Sequence, residues 1–239
     1  MSALAVALLL GVWELAPRAG WVREQSVPPF SDVAREAGSL LGRPEFLSAL
    51  ATSGTRWAAG FALALLIGVP LGAWMGRSRL VRGVIDPLLA LGYPVPKAAL
   101  ILLFVLWFGA GDVARVGIVV TGCLIPIVIS AMHGAAGVPP QLLWAARSLG
   151  RRHVILPAAL PQILSGARIA IAVAIFTVLA SELLIRGSGV GAFMFDALDN
   201  GQTVTVFAVA AIVAVAGYGL DALYVLAVRR AAPWLEGEL

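Results

Sequence analysis

Chemistry needs ionisable or nucleophilic side chains held close together, and this sequence offers few. Lys97 and Glu182 stand within or at the edge of long apolar runs. An ionisable group at membrane depth marks a cavity, a partner or a transport route by default. Both are therefore candidates for a translocation pathway. An ammonium lining such a route would attract a small anion; near the interface it would instead snorkel to water. Asp86 and Asp221 are further acids in apolar surroundings, Asp86 reading as an interfacial cap ahead of Pro87. No catalytic constellation forms around any of them, so no catalytic residue is assigned and the chain is not read as an enzyme. Cys123 is the single cysteine and reads as a small buried hydrophobe. His153 has no ligand partners nearby, so no metal set is assigned. Gly187-Ser-Gly-Val-Gly191 has the look of a phosphate cradle, but no strand precedes it and no Gly-Lys-Ser/Thr follows. It reads as a turn ahead of a short segment, Phe193 to Leu198.

The elements that must position these residues follow from composition. The chain of 239 residues is 60% hydrophobic and 13% charged, with a mean hydropathy of +0.94; soluble domains are about 25% charged. Its apolar residues come in blocks near the ~20 residues that cross a ~30 Å hydrocarbon core as a helix. The expected fold is an all-α membrane protein with six transmembrane helices, at about 2–16, 56–76, 87–108, 113–132, 166–185 and 203–228. The first is marginal, about 22 Å long; a signal peptide would compete, but a basic leading segment is absent. The expected organisation is a first helix at 1–16, an extracytoplasmic loop at 17–55, a transmembrane domain at 56–230 containing a loop at 133–165, and a cytoplasmic tail at 231–239. Within 17–55, Pro28-Pro29 marks a turn, and an interfacial amphipathic helix is expected at about 32–41. The third span is broken early by Tyr93-Pro94-Val95-Pro96-Lys97, where prolines remove backbone donors.

In the second span, Gly60, Ala64, Gly68, Gly72 and Gly76 recur every fourth position. On a helix they form one smooth stripe, which lets another helix approach closely. Orientation follows from arginine. Arg77, Arg79, Arg82, Arg147, Arg151, Arg152, Arg229 and Arg230 fall on the side shared by both termini, against Arg115 and Arg186 in the opposite short connections. The positive-inside rule then puts the 133–165 loop and both termini in the cytoplasm. With no dense Lys/Arg tract, the net charge of +4 reads as topology and not as a nucleic-acid footprint.

The 133–165 loop opens with a predicted short helix over 139–150, between a proline at its start and Gly150 at its end. Leu142, Leu143, Ala146 and Leu149 share a face that has no lipid to cover it. The stretch Trp144-Ala145-Ala146-Arg147, then Gly150-Arg151, then Leu156-Pro157 resembles the signature cytoplasmic loop of binding-protein-dependent ABC importer permeases. Gly68-Val-Pro-Leu-Gly72, Met75-Gly-Arg-Ser78, Asp86-Pro87, Pro94-Val-Pro-Lys97, Leu106-Trp-Phe-Gly109, Leu156-Pro-Ala-Ala-Leu-Pro161, Ser181-Glu-Leu-Leu184 and Val12-Trp-Glu-Leu15 are similar, in collinear order, to the nitrate/sulfonate/taurine-type subfamily. The resemblance implies a bacterial inner-membrane permease that hydrolyses nothing itself. Two permease copies, here a homodimer, would frame the pathway. A cytoplasmic ATPase dimer, which alone holds ATP and Mg, would dock on the 139–157 loop, and an extracytoplasmic solute-binding protein would deliver a small anionic or organosulfur solute. Two departures stand out: Trp144 replaces the pattern's Glu, and the return arm after Gly150 is shorter by about six residues, ~9 Å if helical.

Two other readings of the sequence differ in kind. A secondary transporter or channel would carry paired acids within its spans, where only Glu182 and Asp221 are candidates. A non-transporting paralogue would explain the shortened loop.

Overall fold

The computed structural model describes residues 2–23, 25–92, 95–149 and 154–232. Among them the chain forms α-helices joined by short turns, with no strand: α1 (Ser2–Arg18), α2 (Phe30–Leu40), α3 (Pro44–Arg77), α4 (Arg79–Gly92), α5 (Lys97–Phe108), α6 (Asp112–Ala136), α7 (Pro140–Ser148), α8 (Ile155–Leu184), α9 (Val190–Asp199) and α10 (Thr203–Ala231). Four of these, α3, α6, α8 and α10, are long and apolar enough to cross a bilayer. α1 has 17 residues and α5 has 12. The all-α membrane architecture expected from composition is the one observed.

Three boundaries differ from expectation, each for a local reason. α3 runs for 34 residues from Pro44, well inside the stretch read as a polar loop. Proline suits a first helical position and Glu45 suits the first turn, signals that a hydropathy reading passes over. The segment read as a connection after Arg77 is helical from Arg79 onward. Ser78 alone separates α3 from α4, and its Oγ accepts the Val81 N–H at 3.3 Å, an N-cap that restarts the helix at once. The expected third span is thus two helices, α4 and α5, parted around Pro96, which is the N-cap residue of α5. Tyr93 and Pro94 lie outside the described residues. Finally, α8 begins at Ile155, extending the fifth span backward through Pro157 and Pro161.

Residues 1–54 and 182–218 form one compact unit, and 55–181 with 219–239 form another. In the second unit the core lies where α3, α6 and α8 meet: Ala64, Val119, Cys123, Ile127, Ala170, Ala174 and Val178 are buried together. The small-residue stripe of α3 lies against α6. A Cβ on Gly60 would stand 2.5 Å from Val119 Cγ1, one on Gly68 2.8 Å from Ile127 Cγ2, and one on Gly76 2.5 Å from the Met132 carbonyl oxygen. Lipid is as apolar as leucine, so such close approach, and not hydrophobic exclusion, is what draws membrane helices together. α6 meets α8 in the same way, with a Cβ on Gly122 2.9 Å from Thr177 Oγ1 and one on Gly134 2.9 Å from Gln162 Cβ. α4 lays Val81, Ile85 and Leu89 over Met75, Val128 and Met132.

In the first unit, Val33, Leu40 and Phe46 are buried. Trp13 on α1 donates its indole N–H to the Pro28 carbonyl at 3.0 Å and packs its ring against Phe30 and Phe207. α2 starts after Pro29, which has no side-chain acceptor to offer its first amides. Glu14 supplies one instead, accepting the Ser31 N–H at 2.9 Å and the Ser31 hydroxyl at 3.0 Å. A carboxylate suits that position because the helix N-terminus carries partial positive charge.

Candidate functional site

The resemblance drawn from sequence centres on the segment between α6 and α8. α6 ends at Ala136, where the Gly137 N–H closes on the His133 carbonyl at 2.9 Å. Pro140 opens α7, and the Leu142 N–H bonds the Pro139 carbonyl at 3.1 Å. The two alanines of the motif separate: Ala146 is buried, while Ala145 faces out. Beside Ala145, Trp144 is 62% exposed. Leu142 and Leu149 are exposed as well, so the single apolar face expected of Leu142, Leu143, Ala146 and Leu149 is divided. α7 ends at Ser148, whose Oγ turns back to the Trp144 carbonyl at 3.1 Å, and Leu149 falls past that end. Leu156 and Pro157 are exposed in the first turn of α8. Arg147 belongs to α7, but its side chain, with Gly150, Arg151, Arg152 and His153, lies outside the described residues. What remains is a nine-residue helix presenting Trp144 and Leu142 to solvent, with Leu149 just past its end, between two membrane-length helices. Such a patch suits docking by a protein partner.

The two pathway candidates part company. Lys97 is the first residue of α5, following Pro96; its side chain lies outside the description. Glu182, in the last turn of α8, is 0% exposed. Its Oε2 accepts the Ser53 hydroxyl at 2.7 Å and the Gly191 N–H at 3.0 Å. A carboxylate with no accessible surface cannot meet a passing solute in this conformation.

A cavity of about 500 Å³ opens in the second unit between α4, α5, α6 and α8. Leu88, Val95, Leu100, Thr121, Ile125 and Val173 line it, and Glu182 is not part of its wall. Thr121 is the polar side chain there, and it spends its hydroxyl on the Gly117 carbonyl at 2.8 Å.

Sequence reasoning missed two charged groupings. Arg56 on α3 is 4% exposed and bonds Asp112 Oδ1 through Nε at 2.8 Å; Arg115, also buried, reaches the same oxygen at 3.5 Å. Asp221, considered alone from sequence, is gripped by Arg168 in a two-pronged pair, both contacts at 2.8 Å. One turn on, Tyr224 donates to the Leu164 carbonyl at 2.8 Å. The available signal was opposite charge in separate apolar spans, since such residues tend to pair. Among the described residues, no three of His, Cys, Asp and Glu converge as a metal site.

Residues 68–233 match the family model described as the binding-protein-dependent transport system inner membrane component. The chain is 33% identical over 250 residues to the taurine transport system permease protein TauC of Escherichia coli K12, covering 100% of the chain and 90% of the relative. It is 32% identical to the putative aliphatic sulfonates transport permease protein SsuC of Bacillus subtilis 168, covering 97% of the chain and 86% of the relative. To the nitrate import permease protein NrtB of a Synechocystis strain it is 28% identical, covering 92% and 84%.

Proposed function

The chain belongs to the family of inner-membrane components of binding-protein-dependent transport systems, and from that membership we propose that it forms half of the translocation pathway of an ATP-driven importer. It is a transport permease and not an enzyme. ATP and Mg are held by a partner ATPase dimer that docks on the 139–157 segment, with Trp144, Ala145, Ala146, Arg147, Gly150, Arg151, Leu156 and Pro157 forming or framing the contact. The observation that carries this reading is α7: its Trp144 and Leu142, in the short connection between α6 and α8, are left uncovered by the rest of the chain. An apolar anchor of that kind transmits force only if something grips it.

Six crossings, supplied by α1, α3, α4 with α5, α6, α8 and α10, put both termini and α7 on the arginine-rich cytoplasmic side. A second copy completes the pathway as a homodimer, and an extracytoplasmic binding protein delivers the solute. The cargo is a small anionic or organosulfur solute, a reading supported by relatives named for taurine, aliphatic sulfonates and nitrate. Lys97, the first residue of α5, is the cation we assign to attract it.

Co-expression with the ATPase and binding protein encoded alongside tests this. The three should co-purify from detergent, and loaded binding protein should raise ATP turnover. Failure of any ATPase to associate in native membranes would refute the reading.

A further inference from the structure

The transport reading leaves Glu182 without a task, yet it sits where three segments are tied together. α9 begins at Val190, and the first amides of any helix lack acceptors within it. Its N-cap residue, Gly189, has no side chain to offer. Nothing larger fits: Gly189 has φ +110°, and a Cβ there would collide with the Glu182 carboxyl carbon. The missing acceptors come from other helices. Ser53 Oγ, on α3, accepts the Val190 N–H at 2.8 Å and donates to Glu182 Oε2 at 2.7 Å. The same Oε2, on α8, accepts the Gly191 N–H at 3.0 Å. Phe46 on α3 also meets Phe193 on α9 edge-on, with ring centroids 5.3 Å apart.

We propose that Ser53 and Glu182 form a latch on α9, whose first turn is fully capped only while α3 and α8 lie together at this end. Glu182 is thereby a positioning residue, acting on import through α9 and not by touching solute. The consequence rests on the transport reading: an importer must move its helices, and a hydrogen bond fails beyond about 3.5 Å. Parting α3 from α8 by ~1 Å would therefore break the Ser53–Glu182 bond and leave α9 at most one of its two acceptors.

Amide hydrogen exchange on the full-length chain in lipid nanodiscs, read at Val190 and Gly191 with α6 as reference, tests the latch. Protection at those two amides comes from Ser53 and Glu182 and not from the helix. Glu182→Ala and Ser53→Ala should each speed their exchange about tenfold or more, α6 staying unchanged. Glu182→Gln, whose amide oxygen still accepts both bonds, should restore most of the protection. Unchanged exchange in the alanine variants, or a glutamine variant as exposed as the alanine one, overturns the latch. Where Glu182→Ala does not accumulate, Ser53→Ala decides alone. Uptake assays on cells carrying the co-encoded ATPase and binding protein keep the two readings apart. A wild-type system that imports no taurine, alkanesulfonate or nitrate counts against the transport reading and leaves the exchange result standing. Undiminished import by a Ser53→Ala chain whose α9 is unprotected counts against the latch.

Discussion

A Cβ placed on Gly72 would lie 2.7 Å from the Ala131 Cβ, whereas one on Gly83 meets nothing within 4 Å. The same substitution should therefore act in opposite directions at the two sites. Gly72→Ala must push α3 off α6 and should cost about 1–3 kcal/mol, as overpacking does. Gly83→Ala, inside α4, should be neutral or stabilising by up to about 1 kcal/mol, because alanine loses less backbone freedom than glycine. Detergent-resisted thermal unfolding of both variants checks this, and equal shifts would show that the seam is looser than drawn. Arg168 and Asp221 make a second residue-scale case. Removing one partner leaves a lone charge at membrane depth, while removing both leaves none. Arg168→Leu should lower the unfolding midpoint, and adding Asp221→Leu should recover much of it. A double variant as unstable as the sum of its singles would mean the pair is not coupled.

At the scale of elements, α7 is separable from the rest of the fold in a way the seam is not. Trp144 is mostly in solvent, so Trp144→Ala should change stability by less than about 0.5 kcal/mol. As a docking anchor it should nevertheless weaken ATPase affinity by roughly 30-fold, the loss of about 2 kcal/mol typical of an interface hot spot. Titration of the purified ATPase onto the reconstituted chain measures it, and an unchanged affinity would dismiss α7 as the grip. What could be read from sequence at this scale was whatever is local. The period-four run of Gly60 to Gly76 is visible in one stretch of chain, and so is the break at Pro96. The first twelve or so residues of α3 were hidden because polar and apolar residues alternate there without a long apolar block, and hydropathy measures lipid contact, not helicity. The burial of Glu182 was hidden for another reason: the hydroxyl that holds it is 129 residues away in sequence. The division of the alanine motif in α7 also depends on which side packs, which spacing alone does not say.

At the scale of the whole molecule, composition settled the class: 60% apolar residues in long blocks leave no soluble arrangement that would bury them. The collinear motifs settled the family, which the comparisons bear out along nearly the entire chain. Orientation is open to direct measurement because Cys123, the single cysteine, is buried. On a Cys123→Ala background, Ser148→Cys in α7 should react with an impermeant maleimide only after cells are opened, and Asn200→Cys, beyond α9, in intact cells. The reverse pattern would invert the protein and remove α7 from reach of any cytosolic partner. α2 and α9 both start at residues unable to cap them, Pro29 and Gly189, and each borrows a carboxylate from elsewhere in the chain, Glu14 and Glu182. Neither short helix is a portable cassette. A chimera that imports either one from a relative must carry the lending glutamate with it, and for α9 the serine too, or the graft will arrive with its leading end undone.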